Sequence, residues 1–66
     1  MSSLGEELPK EMARVQDLLP IYDAIPTGVF AATLMRDALK RAAVVIMSGD
    51  VVEMIRVYEE LKGFKA

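Results

Sequence analysis

The sequence predicts an all-α fold: a three-helix antiparallel array with a long central helix and a first helix kinked at Pro20. Three observations carry that prediction. Apolar residues recur at helical spacing in three successive stretches. Two short boundaries, Ile25-Pro26-Thr27-Gly28 and Ser48-Gly49-Asp50, hold residues that stop one helix and start the next. Between them, Thr27 to Gly49 reads TGVFAATLMRDALKRAAVVIMSG, apolar on nearly every face at both ends and charged only in its middle. A helix of that kind needs cover on more than one side.

The first helix is expected from Pro9 to about Ala24, with residues 1–7 as a frayed lead-in to a single domain spanning 1–66. Pro9 suits a first helical turn, where its missing N–H costs nothing. Glu6, Glu7 and Glu11 bring the favourable sign to the positive end of the helix dipole. Leu8, Met12, Val15, Leu18, Leu19, Tyr22 and Ile25 fall on one stripe. Pro20 lies with Ala13, Gln16, Asp17 and Ala24 on the opposite face, so the stripe passes the proline without losing phase. One helix kinked at Pro20, with the Gln16 carbonyl freed towards solvent, accommodates this pattern. The alternative is two short helices broken near Leu19.

Pro26 disfavours helical geometry at Ile25, and Thr27 offers an N-cap for the second helix. That helix places Arg36, Asp37, Lys40 and Arg41 on one face and Ala31, Met35, Ala38, Leu39, Ala42 and Ile46 opposite. Ala31, Ala38 and Ala42 form a narrow row that a neighbouring helix can approach closely. Gly49 suits the left-handed position after a helix end, and Asp50 with Glu53 has capping-box spacing. The third helix is expected to turn Val51, Met54, Ile55, Val57, Tyr58 and Leu61 inward, ending at a second left-handed glycine, Gly63, with Phe64 packing back on Tyr58. Short connections make antiparallel neighbours the natural arrangement.

A chain of 66 residues has a thin margin, because domains near that size bury only about 60% of their unfolded surface. Such chains add disulfides, a metal, oligomerisation or unusually good packing. There is no cysteine and no histidine, which removes disulfides and the commonest zinc ligands. Packing and oligomerisation are left. With 53% hydrophobic residues, the chain lies outside the disordered regime. The longest apolar run, Ala42 to Met47, is far short of the roughly 20 residues a membrane span needs. Glu6 and Glu7 stand where a secretory leader would be basic. A soluble, cytoplasmic protein is the default expectation.

Val29, Val44 and Met47 project to the side of the second helix that carries Arg36 and Lys40, with Phe30 at the other margin. Val52 projects to the polar side of the third helix. Apolar side chains grouped in this way predict an interface, and Val29, Phe30, Val44, Met47 and Val52 are its candidate residues. The competing arrangement has the first helix wrapping one end of this surface and the third helix the other. A homo-oligomer is expected, a dimer first, with another protein as the other possible partner; a two-fold dimer would be self-complementary. Residues 1–26 carry a formal charge of −3, residues 27–49 carry +2 and residues 50–66 carry −1, so a positive helix is flanked by two negative ones. Pairs such as Asp37–Arg41 and Arg56–Glu60 have the spacing for exposed ion pairs worth a few tenths of a kcal/mol each.

Catalysis has little to rest on, and no enzyme activity, cofactor or metal is expected. Without Cys or His there is neither a thiolate nucleophile nor an imidazole base. Ser2, Ser3 and Ser48 lie in a tail or a capping turn. The adjacent carboxylates Glu6-Glu7 and Glu59-Glu60 point about 100° apart on a helix and cannot flank a substrate together. No calcium loop or phosphate-cradling glycine loop occurs. The net charge of −2 disfavours a nucleic-acid partner, and the third helix offers only Arg56 within its body to read base edges.

From Ala38 to Leu61, the small residues, then Ser48-Gly49-Asp50, then Tyr58 and Leu61 resemble one helical hairpin of a tetratricopeptide repeat. A single such hairpin implies only a helix pair joined at Gly49, since these repeats need neighbours to bury their faces. Glu6-Glu7-Leu8-Pro9-Lys10-Glu11-Met12-Ala13-Arg14-Val15, together with Ser48-Gly49-Asp50-Val51-Val52, resembles small bacterial proteins of prophage type. That family has no assigned activity, so the resemblance implies a phage-related accessory role and no functional residue. The function expected is a non-enzymatic interaction module that self-associates through the second helix and its flanks. The alternative is a small phage-related regulator acting on nucleic acid or its machinery.

Overall fold

The computed structural model describes residues 3–65. Among them are three helices, α1 (Leu4–Asp23), α2 (Val29–Ser48) and α3 (Val51–Lys62), with a 3₁₀ turn at Pro26–Gly28 between α1 and α2. Polar contacts fix their order in space. Asp23 meets Arg36 across the first connection, and Arg41 meets Glu60 across the second. Arg14 and Tyr22 reach the backbone of Leu61, Phe64 and Lys65. The middle helix therefore runs against both others, as the short connections require.

Burial follows the apolar stripes. Leu8, Val15 and Leu18 of α1 meet Met35, Ala38 and Ala42 of α2 and Val57 and Leu61 of α3 in one core cluster. Ala32, rather than the expected Ala31, is wholly buried with Ala38 and Ala42, while Ala31 is only half-buried, so α2 contributes a seam of methyl groups that draws its neighbours close. Met35, unbranched and adaptable, fills the space those small side chains leave. Met12, Leu19, Tyr22, Leu39, Met54, Tyr58 and Phe64 are half-buried around this centre.

The helix boundaries differ from the expected ones in three places. First, α1 begins at Leu4 rather than Pro9, with Ser3 carbonyl oxygen accepting from the N–H groups of Glu6 and Glu7 at 3.0 and 2.9 Å. Residues 4–7 of the expected lead-in are thus helical, while Met1 and Ser2 lie outside the described residues. Both prolines sit inside the helix and on its exposed face, so the carbonyls they leave without a donor, at Gly5 and Gln16, lie on the side open to water. The helix is continuous through Pro20, and the bend there is minor.

Second, Thr27 is not the cap of α2. The chain turns through Pro26–Gly28 first, and Gly28 precedes the helix without any side-chain cap. Gly28 is buried, and a Cβ placed on it would overlap the Tyr22 carbonyl oxygen. The 3₁₀ turn therefore closes α1 onto α2 by backbone contact rather than by capping. Third, Gly63 has φ −72° and is right-handed. The chain leaves α3 through tight bonds from Gly63 N to Glu60 O and Phe64 N to Leu61 O, both 3.1 Å. The Arg14 guanidinium, braced by Glu11 at 2.6 Å, donates to the carbonyls of Leu61 and Phe64 at 2.8 Å each. With α1 satisfying those carbonyls, no left-handed residue is needed.

At the other boundary the expected glycine and Asp50 cap form, but not the reciprocal half of the capping box, since the Asp50 N–H bonds Ser48 Oγ at 3.3 Å and the Glu53 carboxylate pairs with Arg56. Gly49 has φ 72° and its N–H bonds Val45 O at 3.0 Å. The Asp50 carboxylate accepts from Glu53 N at 3.2 Å, which caps α3.

Gly49→Ala meets no neighbour within 4 Å, so it carries only the left-handed backbone cost of about 1–2 kcal/mol. Gly28→Ala adds overpacking against a backbone carbonyl, and its loss in urea denaturation at fixed protein concentration is expected to be larger, about 2–3 kcal/mol. Equal losses at the two glycines would show that the Tyr22 carbonyl is not in the way. Arg14→Ala is expected to cost about 1–2 kcal/mol in the same measurement, the range for hydrogen bonds from a charged donor at a partly exposed site. Arg14→Lys keeps the charge but not the two-carbonyl fork, and should recover less than half of that loss.

Candidate interaction surface

The fold leaves much of its apolar surface uncovered. Among the described residues nine hydrophobic side chains are buried, while eleven large ones are exposed. The five expected at an interface are all among the exposed: Met47 at 90%, Phe30 at 76%, Val44 at 65%, and Val29 and Val52 at 59% each. On α2 this is the direction away from Ala32, Met35, Ala38 and Ala42. Neither α1 nor α3 wraps over it.

Six further residues join them: Ile21, Ile25, Leu34, Ile46, Val51 and Ile55. Helical spacing alone places four of these, Ile25, Ile46, Val51 and Ile55, inside, and the structure corrects that expectation. The stripe of α3 that faces the core is narrow, centred between Val57 and Leu61. At about 100° per residue, Val51 and Ile55 lie about 100° and 140° round from it. Ile25 falls after the end of α1, and Ile46 lies in the last turn of α2. Leu34 and Phe30 have a different cause. With Arg41 opposite Glu60, the antiparallel run of α3 ends before it reaches the first turns of α2.

All eleven fall in two groups along the chain. One spans residues 21–34, where α1 ends and α2 begins; the other spans 44–55, where α2 ends and α3 begins. Between them the exposed face of α2 carries Arg36, Asp37, Lys40 and Arg41. Two of these cations are engaged within the chain. Arg36 donates to Asp23 at 2.5 Å. Arg41 donates to Asp37 at 2.8 Å and to both oxygens of Glu60 at 2.7 Å. Hydrogen bonding to Glu60, and then to Asp37, outweighs the opposing effect of burial and raises the Arg41 guanidinium above its ordinary range. A raised pKa contributes stability that is full below the unfolded value and is lost as pH rises through the folded one, so the Arg41 guanidinium keeps its charge at neutral pH. Sequence spacing pairs Glu60 with Arg56, but in the structure Arg56 pairs with Glu53 at 3.0 Å instead. Lys40 has no ion-pair partner among the described residues.

Two open clefts flank α2. One, about 330 Å³, lies between α2 and α3 and is lined by Val44, Val45 and Val57 with Lys40, Arg41 and Arg56. The other, about 380 Å³, lies between α1 and α2 and includes Met12, Leu39 and Ala43. Among the described residues no group of carboxylates is placed to hold a metal ion, and no helix is long and apolar enough to cross a membrane. The arrangement presents apolar ends and a charged middle along one helix. No protein-family model, curated protein or solved structure matches the chain.

Proposed function

We propose that this chain is a non-enzymatic interaction module that self-associates, as a dimer, through α2 and its flanks. One observation carries the reading: Val29, Phe30, Val44, Met47 and Val52 are all exposed in a chain whose core, among the described residues, holds only nine buried hydrophobic residues. Full burial of one such side chain contributes about 1.5–3 kcal/mol. Association costs about 4–15 kcal/mol in lost freedom. Five side chains from each of two copies, each gaining even about 1 kcal/mol, reach the middle of that range.

A regulator acting on nucleic acid has less support. Of its small basic cluster, Arg36 and Arg41 are held by Asp23, Asp37 and Glu60, which leaves Lys40 as the free cation of that cluster among the described residues.

Sedimentation equilibrium across a wide concentration range separates these readings. The parent chain is expected to dimerise with little dependence on salt. A Val44→Lys, Met47→Glu variant is expected to stay monomeric while keeping its helical circular dichroism. A parent that remains monomeric at high concentration sinks self-association. A variant with unchanged affinity moves the interface elsewhere. Binding to nucleic acid that weakens steeply with salt would favour the regulator instead.

A further inference from the structure

We propose that the two copies pair through α2 in antiparallel orientation, about a two-fold axis that crosses each helix between Ala38 and Leu39. This rests on the self-association just proposed and specifies its register. The outward residues Phe30, Thr33, Asp37, Lys40, Val44 and Met47 are all exposed. Their separations alternate between three and four residues, the spacing of the two seam positions in a coiled coil. The stripe is about 26 Å long at 1.5 Å per residue. It lies on the side of the helix away from the core seam of Met35, Ala38 and Ala42.

Read in opposite directions, this stripe is complementary to itself. Antiparallel pairing sets Phe30 against Met47 of the second copy, Thr33 against Val44, and Asp37 against Lys40, with each contact repeated by the two-fold. Parallel pairing in register instead stacks Asp37 on Asp37 and Lys40 on Lys40. Sliding the antiparallel pair by one heptad sets Asp37 and Lys40 against Met47 and Val44 and strands Phe30 and Thr33, or, in the other direction, sets them against Thr33 and Phe30 and strands Val44 and Met47. Only the central register joins all six positions with opposite charges facing.

Charge within the monomer favours the same choice. Arg36 of one copy would lie beside Arg41 of the other on the flank of the seam, but both guanidinium groups already have carboxylate partners. Lys40 has none among the described residues, so it is available to the second copy. Asp37 bonds Arg41 through Oδ2 only, and its other oxygen is open. Exposed ion pairs add little affinity, but they discriminate between orientations. The apolar ends supply the attraction, and the charged centre sets the direction.

The absence of cysteine makes the register directly readable. A mixture of Phe30→Cys chains and Met47→Cys chains, each with its own mass tag, is oxidised mildly and analysed by mass spectrometry. The expected product is the mixed disulfide, because only the antiparallel register brings those Cβ atoms within bonding reach. Independently, Asp37→Lys or Lys40→Asp alone is expected to weaken dimerisation about tenfold or more by placing like charges together. The Asp37→Lys, Lys40→Asp double variant is expected to return to within about threefold of the parent. Disulfides that join each variant chain only to another of its own kind, or a double variant that fails to restore dimerisation, overturn this register while leaving self-association standing. A parent chain that is monomeric by sedimentation removes both.

Discussion

A twelve-residue helix packed against two twenty-residue helices cannot cover them. At 1.5 Å per residue, α3 spans about 18 Å while α1 and α2 each span about 30 Å. The core is therefore densest where all three overlap, around Leu8, Val15, Met35, Ala38, Ala42, Val57 and Leu61. Beyond the C-terminal end of α3 only the end of α1 and the first turns of α2 continue, and apolar side chains there remain in water. The exposed group at residues 21–34 follows from this mismatch, whereas that at 44–55 follows from the outward direction of Val44 and Met47 on α2 and from the narrow inward stripe of α3.

The alanine seam of α2 works with the same constraint. Ala32, Ala38 and Ala42 bring the helices together and bury backbone-proximal surface, but they provide little volume. Large side chains on α2 are consequently used mostly outside the core, with Met35 the one large residue of that helix fully buried. A helix rich in apolar residues thus serves two surfaces. Its small residues face inward, and Phe30, Val44 and Met47 face outward.

Much of this was legible in the sequence because its causes are local. Helical spacing found all three helices, and the Gly49 and Asp50 signals act within a few residues of where they stand. The exposure of Val29, Phe30, Val44, Met47 and Val52 was readable from α2 and α3 phase alone. What was not legible depends on distant partners. Arg14 satisfies carbonyls 47 and 50 residues away, and that contact removes the need for a left-handed Gly63. The role of Gly28 arises only where the turn meets the Tyr22 carbonyl. Val51 and Ile55 have proper helical spacing, yet the width of a stripe that finds cover is set by the neighbouring helices. The self-complementary order of Phe30 to Met47 emerges once the buried side of α2 is known.

The guanidinium of Arg14 also ties the end of α3 to the middle of α1. Terminal turns of helices ordinarily open and close on their own, since their last carbonyls answer only to water. Here the Leu61 carbonyl in the last turn of α3, and the Phe64 carbonyl just beyond it, answer to a side chain in the middle of α1. Loosening the final turn of α3 therefore releases Arg14 and Glu11 as well, so a turn that would otherwise fray alone is coupled to the body of α1.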